Sequence, residues 1–314
     1  MKKIESIIRY VVFALYKIAN VKSPLKYWGI IIGDKVKLFS SKMMGDIKIG
    51  DRVVLSHATL YGNITLENDS LVSKSQLNQK CVIKNNTQIL RSSLSGVVTI
   101  NENCYLDKVW FDGNLLLSSN STVSNLFGKG TISAGKNFKI VGGSVGLHGC
   151  IEIGNYTTLN GPNTDIYSAI NKVKIGNFCS IARNVSIQED NHKINKVSTY
   201  FINYNLFNKA DDQSSESKGS IVIENDVWIG TQCVILSGAH ISNGAVVAAN
   251  SVVTGFIPPY AVVAGSPARV IKYRFPDAII AKFLDLKWWD WSEEQLLKNR
   301  KFFIEPNVNF NLIV

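Results

Sequence analysis

The chain has 314 residues, 46% of them hydrophobic, and its 34 Lys and Arg against 24 Asp and Glu leave a net charge of +10. That length and apolar content exclude a disordered chain and supply a large core or two modules. The basic excess suits anionic partners such as phosphorylated cofactors, nucleotide sugars or acidic lipids, while no helix-turn-helix, zinc-finger or RNA-binding signature supports nucleic acid.

Residues 2–19 place Ile4, Ile7, Ile8, Val11, Val12, Leu15, Ile18 and Ala19 at helical spacing, with Lys2, Lys3, Arg9 and Lys17 among them. Only seven uncharged residues separate Arg9 from Lys17, too few to span a bilayer, and no small-residue cleavage site follows. The helix reads equally as an interfacial element on an anionic membrane face and as a cap over the first open coil of a solenoid.

A period of 17 residues governs the next segment. Ile49, Leu66, Ile83, Ile100 and Leu117 fall at one offset, and Leu55, Val72, Ile89, Leu106 and Val123 fall six residues later. Leu60, Leu77, Leu94 and Phe111 follow at the eleventh offset, failing at Gly128, and Ile64, Cys81, Val98, Leu115 and Ile132 at the fifteenth. Four inward positions per turn predict stacked β-coils around one continuous core. Gly62, Gly96, Gly113 and Gly130 recur at the thirteenth offset, where corners with φ > 0 are expected.

The register loosens after Ile140. Coils restart at Ile153-Gly154-Asn155 and Ile175-Gly176-Asn177, and a six-residue rhythm dominates from Ile223-Glu224-Asn225-Asp226-Val227-Trp228-Ile229-Gly230 to Phe275. Between them lies an insertion over 188–220 carrying Asn191-His192 and Ser198-Thr199-Tyr200-Phe201; a long loop of this composition within a regular solenoid favours function. Pro276 opens a helical segment with Ile279, Ile280, Phe283, Leu284 and Leu286 on its apolar face. Trp288, Trp289 and Trp291 read as packing anchors rather than as a sugar platform, and Ser292 with Gln295 forms a capping box for a second helix. These helices are expected to fold back over the last coils. The sequence thus divides into a basic N-terminal helix region at 1–28, coils of 17-residue period over 29–140, a hexapeptide-type β-helix over 141–275 and a C-terminal helical segment over 276–314. The five cysteines contain no CxxC spacing and are odd in number, and Cys81 and Cys104 occupy repeat positions, so buried thiols in a reducing compartment are expected.

Ile175-Gly176-Asn177-Phe178-Cys179-Ser180-Ile181, Asn191-His192, Ser198-Thr199-Tyr200, Asp226-Val227-Trp228-Ile229-Gly230, Gly265-Ser266-Pro267-Ala268-Arg269, Tyr273-Arg274-Phe275 and Trp288-Trp289-Asp290-Trp291 together resemble the xenobiotic-acetyltransferase branch of the hexapeptide-repeat acyltransferases. That branch includes type B chloramphenicol and streptogramin acetyltransferases and bacterial surface-polysaccharide O-acetyltransferases. The resemblance covers about residues 150–300 and departs at Ser266, where the family commonly has Asn, and at Phe201, where it often has Pro. The extra coils and basic N-terminus look like the polysaccharide-modifying members.

The resemblance implies an all-β solenoid, a left-handed parallel β-helix with an N-terminal helix, a protruding catalytic loop and C-terminal helices. It implies acetyl-CoA as cosubstrate with no metal, a homotrimer, and a glycan, lipid-linked or nucleotide-sugar acceptor. The expected location is the bacterial cytoplasm, with peripheral contact to the inner membrane if the N-terminal helix binds lipid. His192 is the candidate base for an acceptor hydroxyl. Asn191 is grouped with it, and Asp190 or Glu189, or equally a backbone carbonyl, would orient the ring. For the cosubstrate the resemblance assigns Trp228 to the groove wall, backbone near Ala248 and Ala249 to pantetheine amides and Arg269 to phosphate; Gly230 and Ser266 are grouped with cosubstrate binding, and Lys272 and Arg274 add charge attraction. Tyr200 reads either as shaping the acceptor site or as packing within its loop.

The activity this implies is O-acetylation of a sugar in a capsule, O-antigen or lipid-linked precursor. N-acetylation of a nucleotide-linked amino sugar, antibiotic acetylation and a non-catalytic glycan-binding scaffold are the competing readings. A zinc-dependent hydratase on the same kind of helix needs three converging imidazoles; the four histidines stand at least 44 residues apart and share no repeat offset.

Overall fold

A computed structural model of the chain describes residues 25–27, 30–39, 43, 45–60, 62–143, 145–209 and 214–314. The helix expected over 2–19 lies outside them. The chain forms two compact units, Met1–Ile151 and Glu152–Val314.

In the first unit the 17-residue period becomes the pitch of a parallel β-helix. Leu25–Tyr27 pairs antiparallel with Ile30–Ile32, and from there every neighbour is parallel. Ile47–Ile49, Ile64–Leu66, Val82–Ile83, Thr99–Ile100, Leu115–Leu117 and Ile132–Ala134 stack with partners 17 residues apart. Two further walls consist of isolated bridges in the same register, Val54–Leu71–Gln88–Tyr105–Thr122 and Gly62–Gln79–Gly96–Gly113. The predicted inward columns are buried, from Ile49 to Leu117, Leu55 to Val123, Leu60 to Phe111 and Ile64 to Ile132. The column breaks at Gly128 for a steric reason. A Cβ there would stand 2.3 Å from Cδ2 of Phe111, so the larger ring of one coil takes the volume that the next coil's side chain would occupy.

The corners differ from expectation. None of Gly62, Gly96, Gly113 and Gly130 has positive φ; the left-handed residue is the next one, at Asn63, Val97 and Asn114, with Lys80 equivalent. A second left-handed column runs through Lys35, Arg52, Asp69, Asn86, Asn103, Asn120 and Asn137, all with φ between 56° and 59°. Asn and Asp tolerate that region best among non-glycine residues. They also link coils here: Asn86 Nδ2 donates to Asn103 Oδ1 at 3.0 Å and Asn103 Nδ2 to Asn120 Oδ1 at 3.1 Å.

The second unit has three clear walls. Val173–Ile175, Ile221–Ile223, His240–Ile241 and Phe256–Ile257 form one. Thr158–Asn160, Ser180–Ile181, Trp228–Ile229, Val246–Val247 and Ala261–Ala264 form another, closed by the antiparallel strand Arg269–Tyr273. Thr164–Tyr167, Ser186–Gln188, Val234–Leu236 and Val252–Val253 form the third.

The C-terminal segment folds back on one corner column, as its apolar face required. Pro276 sits one position before the helix Asp277–Leu286, and the Ser292/Gln295 capping box is present at Glu293–Lys298. Ile280, Phe283, Trp289 and Phe302 bury against Tyr260, with Phe178 and Trp288 packed beside them. Tyr156 donates to Glu293, and Asn177 Nδ2 to the Trp289 carbonyl at 3.2 Å. The tryptophans at 288 and 289 are therefore packing anchors.

Candidate active site

The insertion begins as an antiparallel ribbon, with Asn191 opposite Glu216 and His192 opposite Ser215. Beyond it the chain includes a helical turn at Ile202–Asn205. The His192 ring is exposed, and its Nδ1 lies 2.6 Å from the carbonyl oxygen of Thr199. A carbonyl only accepts, so Nδ1 carries the proton and the neutral ring keeps its lone pair on Nε2. Phe201 packs edge-on to the imidazole, with ring centroids 4.5 Å apart. Tyr200 is exposed beside it.

Of the three alternatives for orienting His192, the backbone carbonyl is the one in place. Glu189 is fully buried and turned to other partners. It accepts from the amides of Ala169 and Ile170 at 3.1 and 2.8 Å, from Asn171 Nδ2 at 3.0 Å, and from the Ser217 hydroxyl. Burial pushes its carboxyl up, but the hydrogen bonds from Ser217, Ile170 and Asn171 outweigh that and hold it below the usual carboxylate range. Glu189 thus ties both ends of the loop to the neighbouring corner. Asn191 adds a second tie, Nδ2 donating to Ser237 Oγ at 2.7 Å. Asp190 is half-buried, and its charge adds to the burial that raises the Tyr167 phenol.

A groove of about 620 Å³ runs over the wall of Trp228–Ile229 and Val246–Val247. It brings together Trp228, Gly230, Ala248 and Ala249. Trp228 is 56% exposed and presents its indole to solvent. Gly230 is sterically required, because a Cβ there would stand 2.7 Å from the Ala249 nitrogen. The Ala248 amide donates to the Val263 carbonyl at 2.9 Å. Arg183, Thr231 and Asn160 also line the groove and were not foreseen. Thr231 Oγ1 donates to the Arg183 carbonyl at 2.8 Å. Ser180–Ile181 pairs in register with Trp228–Ile229, which sets Arg183 opposite Thr231; aligning those two coils would have found it.

The remaining predicted residues lie on the closing hairpin. Lys272 pairs with Val262, a groove residue, and Arg269 with Ala264. Both are exposed, as is Ser266 in the turn before them. Arg274 departs from its expected role. It bonds Asp226 at 3.0 Å and the Gly244 carbonyl at 2.7 Å, and lies 5.3 Å from the ring centroids of Tyr260 and Phe275, so it pins the C-terminal segment. Burial raises the Asp226 carboxyl, opposed by the charge of Arg274. His192, Asn191, Asp190 and Tyr200 stand on the insertion and are not among the residues lining this groove. Cys179 is buried, its thiol pushed up to about 12 by that burial, which makes it a poor nucleophile at neutral pH. Among the described residues no cluster of His, Cys, Asp and Glu could hold a metal ion.

The pattern "Bacterial transferase hexapeptide (six repeats)" matches residues 220–255. A probable macrolide acetyltransferase of Lysinibacillus sphaericus is 39% identical over 136 residues, covering 41% of this chain and 74% of that protein. The putative lipopolysaccharide biosynthesis O-acetyl transferase WbbJ of Escherichia coli is 39% identical over 105 residues, 33% of this chain and 52% of that protein. A hexapeptide-repeat acetyltransferase of Vibrio cholerae, solved with acetyl coenzyme A, aligns over 46% of this chain and 69% of its own at 29% identity and a TM-score of 0.33. The chain belongs to the hexapeptide-repeat acetyltransferases, and it is an enzyme of acyl transfer.

Proposed function

We propose that the protein transfers an acetyl group from acetyl-CoA to a sugar hydroxyl of a bacterial surface polysaccharide, capsule or O-antigen, or of its lipid-linked precursor. The observation that carries this reading is the contact of His192 Nδ1 with the Thr199 carbonyl at 2.6 Å, which assigns Nδ1 as donor and leaves Nε2 as the acceptor. Nε2 takes the proton as the acceptor oxygen attacks the thioester carbonyl, and that proton passes to the departing sulfur as the C–S bond breaks, releasing an O-acetyl ester and free coenzyme A. Phe201 and the ties through Glu189 and Asn191 hold the ring still. Acetyl-CoA supplies the activated acetyl group.

The groove fits such a cosubstrate. The absence of a side chain at Gly230 leaves room against Ala249, Trp228 offers an apolar wall, and Arg183, Arg269 and Lys272 offer positive charge for phosphates. We take the working site to be shared between subunits of a homotrimer, as the sequence resemblance implies. The similarity to WbbJ, a putative lipopolysaccharide O-acetyl transferase, supports the glycan acceptor. The similarity to a probable macrolide acetyltransferase favours antibiotic acetylation as the second reading.

The test offers labelled acetyl-CoA with surface polysaccharide, lipid-linked precursor, a nucleotide-linked amino sugar and a macrolide. We expect label on glycan that hydroxylamine releases, as it releases an ester. Label held on the amino sugar through hydroxylamine, or confined to the macrolide, would contradict the reading.

A further inference from the structure

The register that stacks the coils of the N-terminal unit also aligns their surface residues. Val54, Leu71, Gln88 and Tyr105 bridge in parallel on successive coils. Three positions beyond each stand His57, Lys74, Arg91 and Lys108, all exposed. Parallel strands lie about 4.8 Å apart, so the backbone positions that carry three permanent cations recur in file at about that spacing. Like charges in register repel one another. None of the ion pairs among the described residues engages Lys74, Arg91 or Lys108. The acid next to the file, Asp107, accepts from Asn125 Nδ2 at 2.7 Å. Two positions past Lys108 and Asn125, Trp110 and Phe127 are exposed, Trp110 at 61%. A solvated surface has no need of both a cation file and bare aromatic rings at a common repeat offset.

We propose that this file binds an acidic polysaccharide lying along the stack of coils. Carboxylate- or phosphate-bearing sugars pair with Lys74, Arg91 and Lys108, and the apolar face of a pyranose rests on Trp110. The spacing of these positions is close to the length of one sugar along a chain, so a polymer meets several cations where a single sugar meets one. The choice of a glycan over another polyanion rests on the acceptor reading above; the file then holds the polymer and makes its acidic class the preferred one.

The test measures binding of the full chain to polygalacturonate, dextran and oligothymidylate without acetyl-CoA, so that failure of the acetylation reading does not touch it. Three proteins are compared with wild type. One carries Lys74→Gln, Arg91→Gln and Lys108→Gln; one carries Trp110→Ala; a control loses the same charge elsewhere through Lys48→Gln, Lys174→Gln and Lys301→Gln, all exposed. We expect wild type to bind polygalacturonate, to release it as salt rises, and to ignore dextran. The file variant should lose at least tenfold in affinity, Trp110→Ala severalfold, and the control little. Equal losses in control and file variant would overturn the proposal in favour of net charge. Tighter binding of oligothymidylate than polygalacturonate at matched charge would overturn it in favour of nucleic acid. A file variant that binds as wild type does would overturn it outright.

Discussion

His192 is held by one backbone carbonyl and one aromatic edge, so its removal should affect chemistry with little effect on folding. His192→Ala is expected to lower turnover by roughly 10² to 10⁴-fold, the range for a positioned base, with acetyl-CoA affinity by calorimetry unchanged. Two glycines make a sharper residue-scale comparison. At Gly230 a new Cβ meets backbone 2.7 Å away, whereas at Gly62 it meets nothing within 4 Å. Gly230→Ala should cost about 1–3 kcal/mol, as overpacking does, and Gly62→Ala should stay within about 0.5 kcal/mol; denaturant titration of each variant reads both. The places of His192 on the insertion and of Gly230 in a coil were legible because each sits in a local motif. The contacts of Glu189 and Arg274 were not legible because their partners are distant in sequence. Ser217 lies 28 residues from Glu189, and Asp226 lies 48 from Arg274, and only the coil stack makes them neighbours.

At the scale of elements, the loop over 188–220 owes its position to two side chains at its root. Glu189→Ala would leave the Ala169 and Ile170 amides without their partner, at about 1–3 kcal/mol each. Faster proteolytic cutting within 188–220 than in wild type checks this. Glu189 also carries a pH signature. Its folded pKa lies below the unfolded one, so its stabilisation is present above the ordinary carboxylate range and is lost as pH falls through the folded value. Wild type should therefore lose thermal stability on acidification more steeply than Glu189→Gln. The C-terminal helices depend on a different contact. Phe283 is buried against Tyr260 and Phe302, and Phe283→Ala should cost about 3–5 kcal/mol by chemical unfolding. The apolar period and the capping box announced these helices, whereas the corner column on which they dock came only with the fold.

For the whole chain, the 17-residue columns were the most legible feature, because every coil repeats the same inward demand and errors at one coil are corrected by its neighbours. The corners were less legible. Glycine marked one position while the left-handed backbone sat at the next, on asparagine, valine or lysine. A stack of this kind should tolerate loss of a whole coil. Deleting residues 86–102, one 17-residue period, is expected to leave the β-rich circular dichroism and a cooperative melt in place, whereas deleting 86–93 should abolish the cooperative melt by throwing every later inward residue out of register.

The central claim is acetyl transfer to a glycan hydroxyl with His192 as base. Its most direct test is release of free thiol from acetyl-CoA by wild type and His192→Ala, with and without extracted surface glycan or its lipid-linked precursor. The account predicts glycan-dependent release by wild type that falls by two or more orders of magnitude in His192→Ala. Glycan-dependent release that survives the substitution would contradict the role of His192, and release that ignores glycan but responds to an amino sugar or a macrolide would contradict the acceptor.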